Sequence, residues 1–312
     1  MEETTQKPRK PSEIFPMTQP RPGDSNRIAR EYLDSLLIEP RYLDAVVPST
    51  ALTLYGETFA TPVMTAALSH LEWIRPNGMV ELARGAALAG AVYWAGFGDE
   101  AELESIVATG ARTVVVLKPY ADEDVAMRRI AHAKSCGVLG IGMDVDHSFN
   151  QRGQLGEVKG VAMGAKSAAD IRRYVAAAGD VPFLLKGTLS LQDAFKGLEA
   201  GVRGIVLSHH HGIQDYAVPP LLVLPEIAKA VAGRIPVFLD GCLMTGIDAF
   251  KALALGATAV SFGRSLMDSL AEGGAEGVAE KIVSVTEVLA SCMGRTASPD
   301  LAHIDPTVIR RL

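Results

Sequence analysis

The sequence has few cysteines and no excess of positive charge. Its three cysteines, Cys136, Cys242 and Cys292, are widely spaced and form no CxxC pair, which argues against a disulfide framework or a cysteine zinc site and suits reduced thiols. The 30 Lys and Arg residues against 36 Asp and Glu give a net charge of −6, so the chain lacks the basic face that nucleic acid requires. We therefore expect a cytoplasmic protein that does not bind nucleic acid.

Long apolar runs are also absent. No stretch approaches the roughly 20 apolar residues of a membrane span, and no charged segment followed by an apolar one opens the chain as a secretory signal would. With 312 residues, 48% of them hydrophobic, the chain can bury a large core as one large α/β domain or two smaller ones. Residues 1–25 are rich in Pro, Lys, Thr and Gln, so we expect a flexible N-terminal segment before a single domain at 26–312.

Short apolar runs and helical patterns alternate from residue 62 onward. An amphipathic helical segment and a small hairpin or cap at 51–59 precede them. The expected helices lie at 77–89, 99–109, 122–135, 167–178, 190–200, 221–232 and 246–255, and a long last helix at 266–291. The expected strands lie at 62–65, 91–94, 112–117, 138–143, 182–185, 204–208, 236–240 and 259–262. Eight such units predict a (β/α)8 TIM barrel with a short N-terminal helical cap. A doubly wound sheet is the competing fold, but no GxGxxG follows the first strand.

Polar residues follow several of these predicted strands. In a TIM barrel the carboxyl ends of all strands share one face, which carries the active site. We therefore expect these side chains to meet at one mouth. They are Asp144, Asp146 and His147 after strand four, Lys186 after strand five, Ser208 to His211 after strand six, Asp240 and Gly241 after strand seven, and Gly263 and Arg264 after strand eight.

His210, Asp146 and Lys186 are the candidate catalytic residues. A histidine accepts a proton near neutral pH, more readily when a carboxylate holds its other ring nitrogen, and Asp146 is the candidate partner. Lys186 ends an apolar run and would need an anion there. Three interpretations without a catalytic role stay open. The histidine triplet could be a solvated or metal-contacting loop, Asp146 a loop cap, and Lys186 a partner in a structural salt bridge.

Glycine-rich turns follow predicted strands seven and eight. TIM barrels often bind phosphate at these turns, through backbone N–H groups and a helix N-terminus. Arg264 adds a guanidinium, which can contact phosphate in bidentate fashion. The residues around Asp240, Gly241, Gly263 and Arg264 thus indicate a phosphate-bearing ligand.

In combination, four runs resemble the FMN-dependent α-hydroxy-acid oxidase and dehydrogenase family, which includes glycolate oxidase and lactate oxidase. The similarity extends from about residue 41 to about residue 301. The runs are LLKGTLS at 184–190, GIVLSHHHG at 204–212, PVFLDG at 236–241, and GIDAFKALALGA at 246–257 with Gly263 and Arg264 shortly after.

The resemblance implies an FMN cofactor, a 2-hydroxy acid or related hydroxy compound as substrate, oxidoreductase activity and a homo-oligomer. His210 would take a proton from the substrate as a hydride equivalent passes to flavin N5, Asp146 would orient His210, and Lys186 would lie beside the flavin N1–O2 edge. The implied flavin contacts are the backbone at Thr65, Ala66 and Ala67, then Ser208, Asp240, Gly241, Gly263 and Arg264.

Several residues depart from the family pattern. Ile213 replaces an arginine that grips the substrate carboxylate, Met244 replaces a phosphate-binding arginine, and Asp144 replaces a flavin-contacting threonine. Losing an arginine–carboxylate contact costs several kcal/mol, so we expect an atypical, larger or differently charged substrate. Its candidate contacts are Lys118, Arg152, His209 and His211.

Two alternatives to the oxidoreductase stay open. One is an isomerase that uses the flavin on the same barrel. The other is a barrel that has lost flavin and is either non-catalytic or metal-dependent through a His and Asp cluster. Three consecutive histidines rarely all point inward, so the triplet alone is a poor metal site.

Overall fold

The eight alternating apolar runs form one parallel sheet in the computed structural model, which describes residues 9–96 and 98–312. Consecutive strands are neighbours, and the last pairs with the first through Phe262 and Thr65. Between strands one and two, the Thr65 N–H donates to the Val92 carbonyl at 3.3 Å. The predicted (β/α)8 barrel is confirmed. Its strands are Val63–Thr65, Tyr93–Ala95, Thr113–Leu117, Gly140–Asp144, Phe183–Lys186, Ile205–Leu207, Val237–Asp240 and Ala259–Phe262.

Each strand is followed by a helix on the outside of the barrel. Side chains cap many helix N-termini; Ser167 and Thr245, for example, each form a reciprocal capping box. The last helix begins two residues earlier than predicted and kinks at Gly274, whose φ is 58°. The helices are Gly78–Leu88, Glu100–Val107, Glu123–Ser135, Ala168–Ala178, Leu191–Ala200, Pro220–Val231, Gly246–Ala254 and Arg264–Gly294.

The predicted hairpin closes one end of the barrel interior. It consists of Leu52–Leu54 and Glu57–Phe59, which pair antiparallel. Its apolar side chains pack in one buried cluster with inward residues of the strands, including Met64, Trp94 and Phe238. Because one end of the barrel is filled in this way, ligand access is from the opposite end, where the strands terminate.

The N-terminal region is tied to the end of the chain. A short helix, Pro11–Ile14, lies on the last barrel helix, where Ser12 donates from its N–H and its hydroxyl to Asp268 at 2.9 and 2.6 Å. A helix at Ser25–Asp34 follows, and strand Leu36–Ile38 pairs antiparallel with Ile309–Arg311. Residues 1–8 of the expected flexible segment lie outside the described residues, and the domain boundary at residue 25 stays a prediction.

Among residues 9–96 and 98–312, no helix has the length and apolar character needed to cross a membrane.

Candidate active site

A cavity of about 460 Å³ opens at the carboxyl ends of the strands. Its wall comes from the ends of strands one, three, five, six, seven and eight and from the N-terminal segment, so polar residues far apart in sequence share one space. The predicted site residues that line it are Ala66, Ala67, Lys118, Lys186, His210, His211, Asp240, Gly241, Gly263 and Arg264.

Five other predicted residues do not line the cavity. Thr65 and Ser208 are buried next to it: the Thr65 hydroxyl accepts from the Trp94 N–H at 2.8 Å, and Ser208 Oγ donates to Asp240 Oδ2 at 3.0 Å. His209 is buried with neither ring nitrogen hydrogen-bonded within the described chain. Asp146 lies behind His210. Arg152 is exposed on a turn of the long loop after strand four.

His210 and Asp146 form the pair that the sequence predicts. The two residues come from different strand ends, and His210 Nδ1 lies 3.1 Å from Asp146 Oδ1. An Nδ1–H that donates to a carboxylate leaves Nε2 as the proton-accepting nitrogen. His210 and His211 have φ values of 48° and 46°, a left-handed conformation that is costly for non-glycine residues. This backbone turns the three histidines in different directions, so only His210 and His211 reach the cavity.

Gly187 makes room for Asp146. Its φ is 92°, and a Cβ at this position would lie 2.4 Å from Asp146 Cγ. We expect Gly187→Ala to push Asp146 away from His210 and lower kcat by about 10²-fold, the effect of a misplacement near 1 Å. Gly160→Ala is the matched control, because Gly160 also has a positive φ, 78°, but no atom within 4 Å of its added Cβ. Steady-state kinetics on the two variants compare the clash with backbone strain alone; equal losses would contradict the prediction.

Asp144 bridges two lysines at the floor of the cavity. Lys118 Nζ donates to its Oδ2 at 2.7 Å and Lys186 Nζ to its Oδ1 at 3.0 Å, and all three groups are buried. Burial alone would raise the pKa of Asp144, but the charges of Lys186, Lys118 and His210 hold it well below its usual range. Burial would lower the pKa of Lys186, and the carboxylates of Asp144 and Asp240 raise it instead. Asp144 and Lys186 are therefore both charged at neutral pH.

Oxygen and nitrogen atoms of Asp144, Asp146 and His210 lie within 4.8 Å of one another, close enough to hold a metal ion. Both oxygens of Asp144 already accept from ammonium groups. Two positive charges beside the carboxylate oppose binding of a cation. The donor set suits an anionic or electron-rich ligand better than a metal.

Two further histidines flank His210. The ring of His147 lies 5.0 Å from that of His210 and the ring of His211 lies 5.4 Å from it. Loss of hydration, with the charges of Lys118 and His210, lowers the pKa of His147 to about 4. Loss of hydration, with His210 and Arg264, lowers the pKa of His211 to about 3. Both are neutral at pH 7, so His210 lies between two uncharged imidazoles.

The low pKa of His147 makes stability depend on pH. The unfolded His147 side chain has a pKa near 6.5 and binds a proton as the pH falls below that value. The folded side chain binds a proton only when the pH reaches about 4. The stability contribution is therefore complete above pH 6.5 and is lost as the pH falls towards 4. Between pH 7 and 5, the free energy of unfolding should fall by about 1 kcal/mol more in the unmodified chain than in His147→Asn. Urea unfolding at the two pH values measures this, and equal losses would refute it.

The N-terminal segment supplies cavity residues that the sequence analysis missed. Phe15 lines the cavity, with its ring 5.5 Å from His211 and 5.2 Å from the guanidinium carbon of Arg264. Arg264 donates to the Pro16 and Met17 carbonyls at 2.8 and 3.0 Å. Residues 14–17 carry no periodic pattern, so no sequence signal pointed to them. Trp73, on a short helical turn after strand one, was also missed.

The residues present fit FMN. A cavity of about 460 Å³ is in the usual range for a cofactor site. At the start of the last helix, Gly263 offers no side-chain cap, and Ser265 Oγ is buried without a partner among the described residues. Uncapped N–H groups and an unpaired hydroxyl suit a phosphate, while Lys186 provides positive charge at the floor.

Comparison with known proteins identifies the family. The chain matches the FMN-dependent dehydrogenase family over residues 21–172 and 154–311. It is 31% identical to 4-hydroxymandelate oxidase from Amycolatopsis orientalis, over 91% of this chain and 90% of that protein. It is 30% identical to glycolate oxidase from Spinacia oleracea, over 80% of this chain and 77% of that one.

Solved structures agree with the sequence comparison. A structure of mandelate oxidase with (S)-2-phenylpropionate superposes with a TM-score of 0.84 at 28% identity, covering 96% of this chain and 92% of that one. A mandelate oxidase variant with a monooxide FMN adduct gives 0.85 at 28% identity, covering 96% and 95%. These matches favour the oxidoreductase over the isomerase and flavin-free alternatives. The chain belongs to the FMN-dependent dehydrogenase family and is an FMN-dependent oxidoreductase that oxidises a hydroxy acid.

Proposed function

We propose that the chain oxidises a 2-hydroxy acid with an apolar, aryl-sized substituent to the 2-oxo acid. Bound FMN supplies the acceptor for the hydride equivalent, the C2 hydrogen with its electron pair, at flavin N5. His210 takes the hydroxyl proton at Nε2, so the alcohol becomes a ketone with atoms and electrons balanced. The observation that carries the proposal is the pairing of His210 with Asp146 at 3.1 Å, in the same cavity as Lys186.

Asp146 and Lys186 support that proton transfer in different ways. Asp146 holds His210 in the tautomer that leaves Nε2 free, and its charge stabilises the imidazolium formed. Lys186 would lie beside the N1–O2 edge of the flavin, where its ammonium favours the extra electron density of the reduced ring. Its burial and its ion pair with Asp144 fix its position.

The remaining predicted residues would hold the flavin. The backbone of Thr65, Ala66 and Ala67 would pack against the ring. Ser208 is hydrogen-bonded to Asp240, which supports a shared role near the ring and ribityl chain. The phosphate would meet the N–H groups after Gly263 and the Ser265 hydroxyl. Gly241 would allow close approach, and Arg264 would use the donors not bonded to the N-terminal segment.

The chemistry of the cavity wall supports an apolar substituent. Phe15, Leu71 and Trp73 line it, and His211 beside Phe15 is uncharged at neutral pH. Lys118 is the proposed contact for the substrate carboxylate. It lines the cavity, and its bond to Asp144 uses one of three ammonium donors. Arg152 and His209 lie outside the cavity lining and receive no role.

The decisive experiment is a visible spectrum of the purified protein, followed by anaerobic addition of substrate. We expect oxidised-flavin bands that mandelate bleaches at least tenfold faster than glycolate at equal concentration. Glycolate carries the same carboxylate and hydroxyl but no aryl group, so it is the matched control. Equal rates would contradict the aryl preference, and the absence of bleaching by either acid would contradict the proposed reaction.

A cytoplasmic location and a homo-oligomer belong to the same proposal. The three cysteines are free, which suits a reducing compartment. Leu43 and Val47, in the loop before the hairpin, are 88% and 95% exposed, and such apolar exposure is typical of subunit contacts. Light scattering after size-exclusion chromatography gives the oligomeric state, and a monomer would refute this part.

A further inference from the structure

Asp144 has no part in the reaction as proposed and does not itself line the cavity, yet it pairs with two lysines that do. It is 3% exposed, with Lys118 2.7 Å from one oxygen and Lys186 3.0 Å from the other. The two ammonium groups alone would carry two positive charges, and the carboxylate between them reduces the net charge of the buried cluster to one positive charge. Removing one member of such a cluster leaves an uncompensated buried charge, so each member affects the electrostatic field at the part of the cavity that Lys118 and Lys186 line.

We propose that Asp144 is an electrostatic counter-ion that keeps the reduction potential of the bound flavin low, while Lys118 offsets part of its effect. The inference rests on the proposed position of the flavin N1–O2 edge at Lys186. Asp144 acts through Lys186 and through the field of its own charge, so it is a positioning residue and not a catalytic one.

The direction of the effect follows from charge. Reduction adds two electrons to the flavin ring and a proton at N5, and the added negative charge collects at the N1–O2 edge. Positive charge near this edge favours the reduced form and negative charge disfavours it, strongly so at short range in a buried site. Asp144 lies 3.0 Å from the ammonium that would face this edge. Its negative charge therefore cancels much of the stabilisation that this ammonium would give to the reduced flavin.

The geometry also keeps Lys186 in place. Asp144 and Lys186 are register partners on neighbouring strands, and Asp240 Oδ2 lies 3.8 Å from the same ammonium on the other side. Lys186 is thus held between two carboxylates that both favour its charged form. Lys118 follows Leu117, which pairs with Met143 next to Asp144. The sequence therefore builds the cluster directly from strand register.

Three variants test the proposal by potentiometric titration of the FMN-loaded protein against a redox dye. Asp144→Asn, which keeps shape and removes charge, should shift the two-electron equilibrium at least tenfold towards reduced flavin, which is about 30 mV. Lys118→Met should shift it at least tenfold the other way. Their combination restores the net charge and should return to within threefold of the unmodified protein. Single-variant potentials within threefold of the unmodified protein, or shifts in one shared direction, would overturn the proposal.

Controls separate this result from folding and from the proposed function. Glu57→Gln removes a carboxylate paired with Arg112 in the hairpin at the far end of the barrel, and its potential should stay unchanged. If Asp144→Asn does not fold or bind FMN, the test rests on Lys118→Met alone, and the reduction potential of the bound flavin should shift downward in that variant. Flavin bands and bleaching by hydroxy acid in the unmodified protein test the proposed function separately. A normal response there with unmoved potentials in the variants refutes only the role of Asp144.

Discussion

Replacing His210 by asparagine is expected to lower the rate constant for flavin reduction by about 10²–10⁴-fold, the usual contribution of a positioned general base. Asparagine keeps a polar group near Asp146 but has no nitrogen that accepts a proton at neutral pH. Binding of FMN should change little, because His210 acts on the substrate side. Anaerobic stopped-flow mixing with substrate measures the reduction directly.

Asp146→Asn tests the same pair from the other side. The amide cannot stabilise an imidazolium, so we expect a large loss in the same rate constant, and the loss in the double variant should be much less than the product of the two single losses. His303→Asn is the matched control, since His303 is exposed and also paired with an aspartate, Asp300, at 2.7 Å. A His210→Asn variant within tenfold of the unmodified rate would remove His210 as the base.

Gly246→Ala is expected to give the largest loss of stability among single methyl additions. Gly246 begins the helix after strand seven, and an added Cβ would lie 2.2 Å from the Val285 carbonyl oxygen and 2.5 Å from the Leu289 nitrogen of the last helix. Backbone atoms cannot rotate away, so the two helices must separate. We expect a cost of about 3 kcal/mol and a Tm lower by roughly 5–10 °C.

Gly273→Ala, in the last helix, which Gly246 contacts, is expected to raise stability rather than lower it. No atom lies within 4 Å of its added Cβ, and alanine is favoured over glycine in a helix by about 0.5–1 kcal/mol. Calorimetry at saturating FMN keeps the ligand contribution constant. A Gly246→Ala protein as stable as Gly273→Ala would show that the close helix contact does not exist in solution.

The barrel and the His210–Asp146 pair were predictable because both depend on local patterns. Short apolar runs ending in polar residues marked the strand ends, and parallel strands must bring those ends to one face. The bridge between Lys118, Asp144 and Lys186 was predictable in principle, since strands three to five are neighbours in register. In the sequence Asp144 is visible as a polar strand-end residue and as a departure from the family, and neither feature by itself indicates its ion pairs with Lys118 and Lys186.

Other parts of the site depend on information that a local pattern does not hold. Phe15 reaches the cavity because its segment docks on the last helix, more than 240 residues away in sequence, as the Arg264 to Pro16 bond shows. The exclusion of His209 from the cavity follows from left-handed backbone at His210 and His211, which residue type alone does not predict. Arg152 follows strand four in sequence, but it is exposed on a turn of the loop there and does not line the cavity.

The pairing of Leu36–Ile38 with Ile309–Arg311 has a consequence for the order of events during synthesis. The Ser25–Asp34 helix leads into the first of these strands, and its Asn26 binds Arg264 at the cavity. The other strand leaves the ribosome after the whole barrel. The N-terminal part of the cavity wall is therefore held in place by a strand that is made after the barrel, and a nascent chain presents an unfinished pocket until residues 309–311 have been made.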